Sequence, residues 1–197
     1  MAYRDVSIVV CVKDEPAEPL QQLVSVLLMD LEVNDVWVIC AGPGIDVSLA
    51  TNERLRVRSQ PGKGKADALN YGLSQAHSPF TFFIDADVLL KGDEISIARE
   101  VLEDQEVSFV SCGYGMRPPA FPIATGMGGW FSGCKTNVFR SLGGWVQDPL
   151  EDVVTSAKIK KAGFTIKTLP FSITLRRAPR NPLVKGLGVL ASFGQRR

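Results

Sequence analysis

The residues best suited to chemistry are carboxylates, and they come in pairs: Asp14-Glu15, Asp85-Ala86-Asp87 and Glu151-Asp152. Asp85 and Asp87 close Phe80-Thr81-Phe82-Phe83-Ile84, which reads as a short buried strand. An unpaired buried carboxylate costs several kcal/mol, so the two acids belong at the strand's open end, in water or against a cation. With strand geometry maintained they point the same way, roughly 6.5–7 Å apart at the backbone. That is too far to chelate one small cation unless the chain bends there. One then ligates a metal and the other accepts from a hydroxyl or a bound water. Hard oxygen ligands select magnesium or manganese, which keep several waters and suit a diphosphate. Taken alone, Asp-x-Asp is more often a solvated turn.

Two further groups have chemical potential. Lys63 and Lys65 lie in Gln60-Pro61-Gly62-Lys63-Gly64-Lys65-Ala66-Asp67-Ala68-Leu69-Asn70, which is not a P-loop because GxxxxGK[ST] is absent. Two lysines at a helix start can still hold phosphate beside the amide dipoles, with an exposed basic turn as the plain alternative. Glu151-Asp152 opens a helix, where acids are favourable for dipole reasons alone. One of them facing a pocket would instead serve as a general base.

The elements that must position these groups alternate through the first hundred residues. Strands are predicted over 7–12, 36–40, 55–58 and 80–84, and helices over 16–31, 64–75 and 94–102. Such alternation with short connections predicts a mostly parallel sheet covered on both faces, a three-layer α/β/α arrangement. Ligands of an open parallel sheet gather at the carboxyl ends of its strands. Asp14-Glu15, the turn from Gly42 to Asp46, and Asp85-Asp87 all fall at such ends. The second half reads as a strand over 107–112, a Gly- and Pro-rich loop over 113–133, helices over 135–142 and 151–162, and strands over 165–169 and 172–175. Gly163 is placed to end the last helix. From Arg176 onward the chain is basic, with no acidic residue.

Bulk properties bound the rest. At 197 residues the chain supports one well-filled core rather than two domains. A net charge of +1 supplies no global field for nucleic acid. The longest apolar runs fall short of a membrane span, and MAYRDVSIVV is no signal peptide, so the expectation is a cytoplasmic protein. Cys11, Cys40, Cys112 and Cys134 form no CxxC pair and read as small buried hydrophobes. The single His77 reads as a helix-end cation.

Taken in order, these pieces resemble the nucleotide-sugar glycosyltransferases of the GT-A fold, family 2 group. The resemblance rests on Ser7 to Val12 ending in Lys13-Asp14-Glu15, on Gly62 to Gly72, on Phe83-Ile84-Asp85-Ala86-Asp87, on Ser132-Gly133-Cys134 through Phe139-Arg140 to Gly143-Gly144-Trp145, and on Glu151-Asp152 to Ala162-Gly163-Phe164. It implies one catalytic domain over 1–175, with a donor part to about 112 and an acceptor part after it, and a basic tail over 176–197.

The same resemblance assigns roles. Asp85 and Asp87 would hold Mn2+ or Mg2+ and the donor's ribose and diphosphate, with Asp87 the direct ligand. Lys65 and Asn70 would line the donor site, and Asp14 and Glu15 would flank the nucleoside. Asp152 would deprotonate the acceptor hydroxyl, with Glu151 orienting it or the donor sugar. Direct displacement at the anomeric carbon would invert its configuration.

The chain also departs from the family pattern. Cys40-Ala41-Gly42-Pro43-Gly44 stands where relatives carry acids that pair with the base, so Asp46 would substitute and both UDP and GDP donors stay open. The Gln-x-x-Arg-Trp signature of processive synthases is missing, which favours single addition. No histidine follows Asp152, so a third metal contact would be water or another residue. Acceptor recognition, whether of a glycan, glycoprotein or lipid, would fall to Gly113–Trp130 and the tail. Trp130, Phe131 or Trp145 would stack on a sugar or pack in the core. The tail suits peripheral contact with an anionic membrane, with simple solvation the plainer reading. The alternatives are an inactive nucleotide-sugar-binding module, a nucleotidyltransferase, or a retaining transferase on the same fold.

Overall fold

The computed structural model describes residues 4–13, 15–41, 52–114 and 126–176, with the side chains of Gly113, Tyr114 and Ser172 left aside. Asp14, Asp46 and the tail beyond Arg176 lie outside the described residues.

The β-branched run near the start forms β1 (Val6–Val12), with all but one of its residues buried. Helix α1 (Ala17–Met29) follows Pro16 and buries Leu20, Leu23, Val24 and Leu27. It stops two residues before the predicted end, because the Asp30 carboxylate accepts from the backbone N–H of Glu32 at 2.9 Å and turns the chain. Next come β2 (Val33–Cys40), β3 (Leu55–Ser59), α2 (Lys65–Gln75) and β4 (Phe80–Asp85). A two-residue strand, β5 (Val88–Leu89), precedes α3 (Glu94–Glu103). The second half contributes β6 (Phe109–Tyr114), β7 (Phe131–Lys135), α4 (Thr136–Ser141), α5 (Glu151–Lys161) and β8 (Ile166–Leu175).

One eight-stranded sheet runs in the order β3-β2-β1-β4-β7-β6-β8-β5. The pairs β3–β2, β2–β1, β1–β4 and β6–β8 are parallel, while β7 is antiparallel to both β4 and β6. Alternate strand residues feed two cores. Ile8, Val10, Phe82 and Ile84 pack with α1 and α3 on one face. Val9 and Phe83 pack with α2, α4 and α5 on the other. The predicted three layers follow from that two-residue period.

Two predicted segments are corrected. The Gly-rich stretch ending at Gly133, read from composition as a loop, holds the start of β7. Glycine is needed there because a side chain at position 133 would lie 2.3 Å from the Phe82 ring. The two short strands predicted after Gly163 are one, β8, carrying Pro170 in its middle. Proline cannot donate to a ladder. The pairing with β6 accordingly shifts register, Ser111 facing Thr168 and Gly113 facing Ser172.

Phe131 and Trp145 are core residues: Trp145 stands edge-on to Phe83 and Phe139, at centroid distances of 5.2 and 5.7 Å. Cys40, Cys112 and Cys134 are buried as expected, whereas Cys11 is only partly covered and none of the four is in a disulfide. His77 is exposed just past the end of α2, as predicted. No helix among the described residues is long and apolar enough to cross a membrane.

Candidate functional site

The site is built where β1 and β4 end side by side. Cys11 of β1 faces Asp85 of β4 across the parallel ladder. The strand stops at Asp85, and Ala86-Asp87 form a turn after it. The Asp85 N–H donates to the Trp130 carbonyl at 3.0 Å, which ties this end to the segment leading into β7. The Asp87 carbonyl accepts from the Arg176 N–H at 2.9 Å, which fixes the far side of the turn.

Lys65, the first residue of α2, reaches into this corner. Its Nζ lies 2.6 Å from Asp85 Oδ1 and 3.8 Å from Glu151 Oε1, and donates to the Gly129 carbonyl at 3.1 Å. Burial lowers the affinity of this amine for its proton, but Asp85 and Glu151 more than offset that and leave its pKa raised. Lys65 therefore stays charged across the physiological range. The neighbouring Cys11 thiol is pushed up to about 12 by burial, with Lys65 opposing and the two carboxylates adding to the shift. The shift favours the thiol over the thiolate.

The backbone around Lys65 is set by its neighbours. Gly64, at φ 85, takes a left-handed conformation that a side chain would strain, and so aims the helix start. The Asp67 carboxylate accepts from the Lys63 N–H at 2.7 Å and from the Gln147 side-chain amide. Lys63 itself is exposed, as the basic-turn reading had it.

Helix α5 brings Glu151 and Asp152 to the same corner in its first turn. What holds it there is Asn70 of α2. Asn70 Nδ2 donates to the Trp145 carbonyl at 2.9 Å, and its Oδ1 accepts from the Trp145 N–H at 2.8 Å. Each such bond contributes about 1 kcal/mol, and the pair fixes both distance and rotation. Gly144 adopts φ 63, and its lack of a side chain lets Asn70 come that close. Lys158 and Thr155 of α5 then bind back, to the Gly144 carbonyl at 2.6 Å and from the Val146 N–H at 3.0 Å. Asn70, expected to line the donor site, thus directs both amide groups at the turn before α5.

A third wall is the segment before β7. Ser156 Oγ accepts from the Met127 N–H at 2.7 Å and donates to the Asp152 carbonyl at 2.5 Å. Ser111 Oγ accepts from the Gly128 N–H at 2.8 Å. Trp130 Nε1 donates to the Cys112 carbonyl at 3.0 Å, so its ring is anchored and half-buried. Sequence reasoning missed Ser111, Ser156 and Gly129; isolated serines and one glycine in a Gly-rich stretch carry no signal.

The structure therefore brings Lys65, Asp85, Glu151 and Asp152 together, with Asp87 at the adjoining turn. Glu15 lies half-buried just after β1. Asp14 and Asp46 fall outside the described residues. Among the described residues no three His, Cys, Asp or Glu side chains form a group that could hold a metal unaided. One cation amid several acids, at an edge open to solvent, can bind an anionic ligand and accept a proton.

Comparison with known proteins agrees with this layout. The profile of Glycosyl transferase family 2 matches residues 7–121, more than half of the chain. No curated protein sequence is significantly similar. Among solved structures, a mannosyltransferase from Pyrobaculum calidifontis in complex with GDP-Man and Mn2+ shares 22% identity at a TM-score of 0.73, over 90% of this chain and 58% of that one. The chain thus spans less than two thirds of that relative. Glucosyl-3-phosphoglycerate synthase from Mycobacterium tuberculosis, in complex with Mg2+ and UDP, shares 17% identity at a TM-score of 0.69, over 96% and 76% of the two chains. These likenesses establish the GT-A fold.

Proposed function

The chain belongs to Glycosyl transferase family 2, and from that premise we propose that it moves a sugar from a nucleoside-diphosphate donor to an acceptor hydroxyl with inversion, Asp152 acting as general base. The observation that carries this reading is the corner where Lys65 Nζ sits 2.6 Å from Asp85 and 3.8 Å from Glu151, with Asp152 beside it.

In the proposed reaction the acceptor hydroxyl gives its proton to Asp152 as its oxygen bonds to the anomeric carbon. The bond from that carbon to the diphosphate oxygen breaks on the opposite face, and its electron pair leaves with the diphosphate. Lys65 meets the incoming phosphates and exchanges part of its contact with Asp85 and Glu151 for them. Glu151, in the same helical turn as Asp152, orients the base or the donor sugar. Ser156 steadies Asp152 through its carbonyl.

A divalent ion fits the residues at the turn. Asp87 is half-buried, and its carboxylate makes no hydrogen bond or ion pair among the described residues. Its hard oxygens suit Mn2+ or Mg2+, and a site with few protein ligands suits an ion that keeps waters and takes phosphate oxygens. Asp87 would be the direct ligand, with Asp85 beside it toward the ribose. The ion so held would stabilise charge growing on the leaving diphosphate. The donor base, the sugar and the acceptor are open within this class, both UDP and GDP donors included, and single addition is favoured.

Thermal unfolding with a panel of UDP-, GDP- and other nucleotide-sugars, with and without manganese, tests the reading. At a hundredfold excess over Kd a true donor stabilises by about 2.7 kcal/mol, or roughly 5–10 °C in Tm. Asp87→Ala is expected to erase the manganese-dependent part. If no nucleotide-sugar moves Tm under any metal, the transferase reading fails.

A further inference from the structure

Helix α5 carries both acids of its corner, yet little apolar surface fixes how it is turned. Its buried residues are Thr155, Ser156 and Ile159, and only the last is apolar. By contrast α1 buries Leu20, Leu23, Val24 and Leu27, a stripe that admits one rotation. Successive residues on a helix lie about 100° apart, so a modest turn of α5 about its axis would carry Asp152 out of the corner. Polar ties must set that rotation instead. Thr155 Oγ1 accepts from the Val146 N–H at 3.0 Å, and Lys158 Nζ donates to the Gly144 carbonyl at 2.6 Å. Both ties end on the irregular segment 144–146, which holds α5 only as firmly as it is itself held.

The Trp145 ring packs edge-on against Phe83 and Phe139, which anchors the side chain and leaves the peptide groups on either side to be oriented. Asn70 orients them, with both polar atoms of its amide committed to the Trp145 backbone. Asp67, three residues earlier and so on the same face of α2, adds a second tie by accepting from the Gln147 amide. The helix that makes these bonds is the one that begins with Lys65. We propose that Asn70 is a positioning residue for the transfer: by fixing segment 144–146 it sets the rotation of α5, and so holds Asp152 in register with the Lys65 end of α2. It touches neither donor nor acceptor, in contrast to the donor-lining role that the family resemblance implies for it. This assignment rests on the transfer reading above.

The test compares wild type, Asn70→Ala, the nearly isosteric Thr155→Val and the double variant. Each is supplied with a nucleotide-sugar identified in the thermal panel, manganese and excess glycerol, and the release of nucleoside diphosphate is followed. A misplacement of about 1 Å caused away from the chemistry can cost on the order of a hundredfold, so each single variant is expected to lower kcat by about tenfold or more with donor Kd unchanged. The two substitutions cut one chain of contacts, so the double variant is expected to fall little further than either alone. Arg140→Leu is the control for stability. Its guanidinium bonds the carbonyls of Leu73, Ser74 and Ala76 at the far end of α2, and its loss is expected to lower Tm with kcat held.

An unchanged kcat in Asn70→Ala or in Thr155→Val overturns the assignment, and so do effects that multiply in the double variant. A loss of donor affinity in Asn70→Ala overturns it too and returns Asn70 to the donor site. If Arg140→Leu lowers kcat as far as Asn70→Ala does at a matched loss of Tm, activity follows general stability and the assignment fails. Should Asn70→Ala not fold, Thr155→Val decides by its own kcat and donor Kd. A wild-type chain that turns over while its variants do likewise defeats the assignment alone. One that neither binds nor cleaves any nucleotide-sugar defeats the transfer reading and the assignment with it.

Discussion

Two knots of charge sit at opposite ends of β1, and they are made of the same materials. At the amino end Arg99 of α3 grips Asp5 with two parallel bonds of 2.7 Å, meets Glu103 at 2.9 Å and Glu32 at 4.0 Å, and lies 5.9 Å from the Phe80 ring. At the carboxyl end Lys65 meets Asp85 and Glu151 with one ammonium. The guanidinium is a planar fork whose partners match its shape, so the Arg99 knot has a single low-energy arrangement. The ammonium is a point charge on a flexible stem and can be drawn toward a new anion with little rearrangement. The first arrangement joins a helix to the sheet, and the second is suited to exchanging partners. Counting ion pairs would not separate them; the geometry of the cation does.

Substitutions in each knot should therefore give opposite signatures. Asp152→Asn is expected to lower transfer by about a thousandfold, as loss of a general base does, while donor Kd and Tm hold. If donor binding is lost as well, Asp152 has a structural role. Arg99→Met is expected to leave Asp5 and Glu32 uncompensated and to cost about 3 kcal/mol of stability, with turnover per folded molecule unchanged. A fall in activity at constant Tm would link the two ends. Lys65→Met should weaken donor binding by about ten- to a hundredfold, the range of one charged hydrogen bond, with little change in Tm. A large loss of Tm would make Lys65 a staple like Arg99 and erase the contrast.

The smallest expected effect concerns Glu32, whose pKa burial raises above its ordinary 4.5, against the pull of Arg99. A carboxyl that holds its proton more tightly when folded makes the native state bind more protons than the unfolded one. Its contribution to stability then falls as pH rises from 4.5 toward the raised value, and is regained on acidification. Glu32→Gln should raise Tm slightly at neutral pH and flatten this part of the pH profile. A lower Tm at pH 7 would mean that its attraction to Arg99 wins.

Much of the frame was legible because the strands are β-branched runs bounded by acids, glycine and proline, and because Val9 and Phe83 alternate with Val10 and Phe82 between two helix layers. β7 was hidden from composition because its glycine answers to the Phe82 ring, a neighbour fifty residues away in the chain. β8 read as two strands because Pro170 breaks the ladder without ending the strand. In the site, the acid pairs announced themselves by type and spacing. Asn70 and Trp145 did not disclose their clamp, since an asparagine on a helix and an aromatic after two glycines fit many roles.

What the sequence determined by itself is therefore local: which segments can be strands or helices, and which of their ends carry charge. The hydrophobic period and the preference of carboxylates for water set both, and neither needs a distant partner. The tertiary structure decided which charges share a corner. Lys65 holds Asp85 rather than solvent because parallel strands align their ends. Glu151 and Asp152 reach the same place because Asn70 fixes the turn before α5.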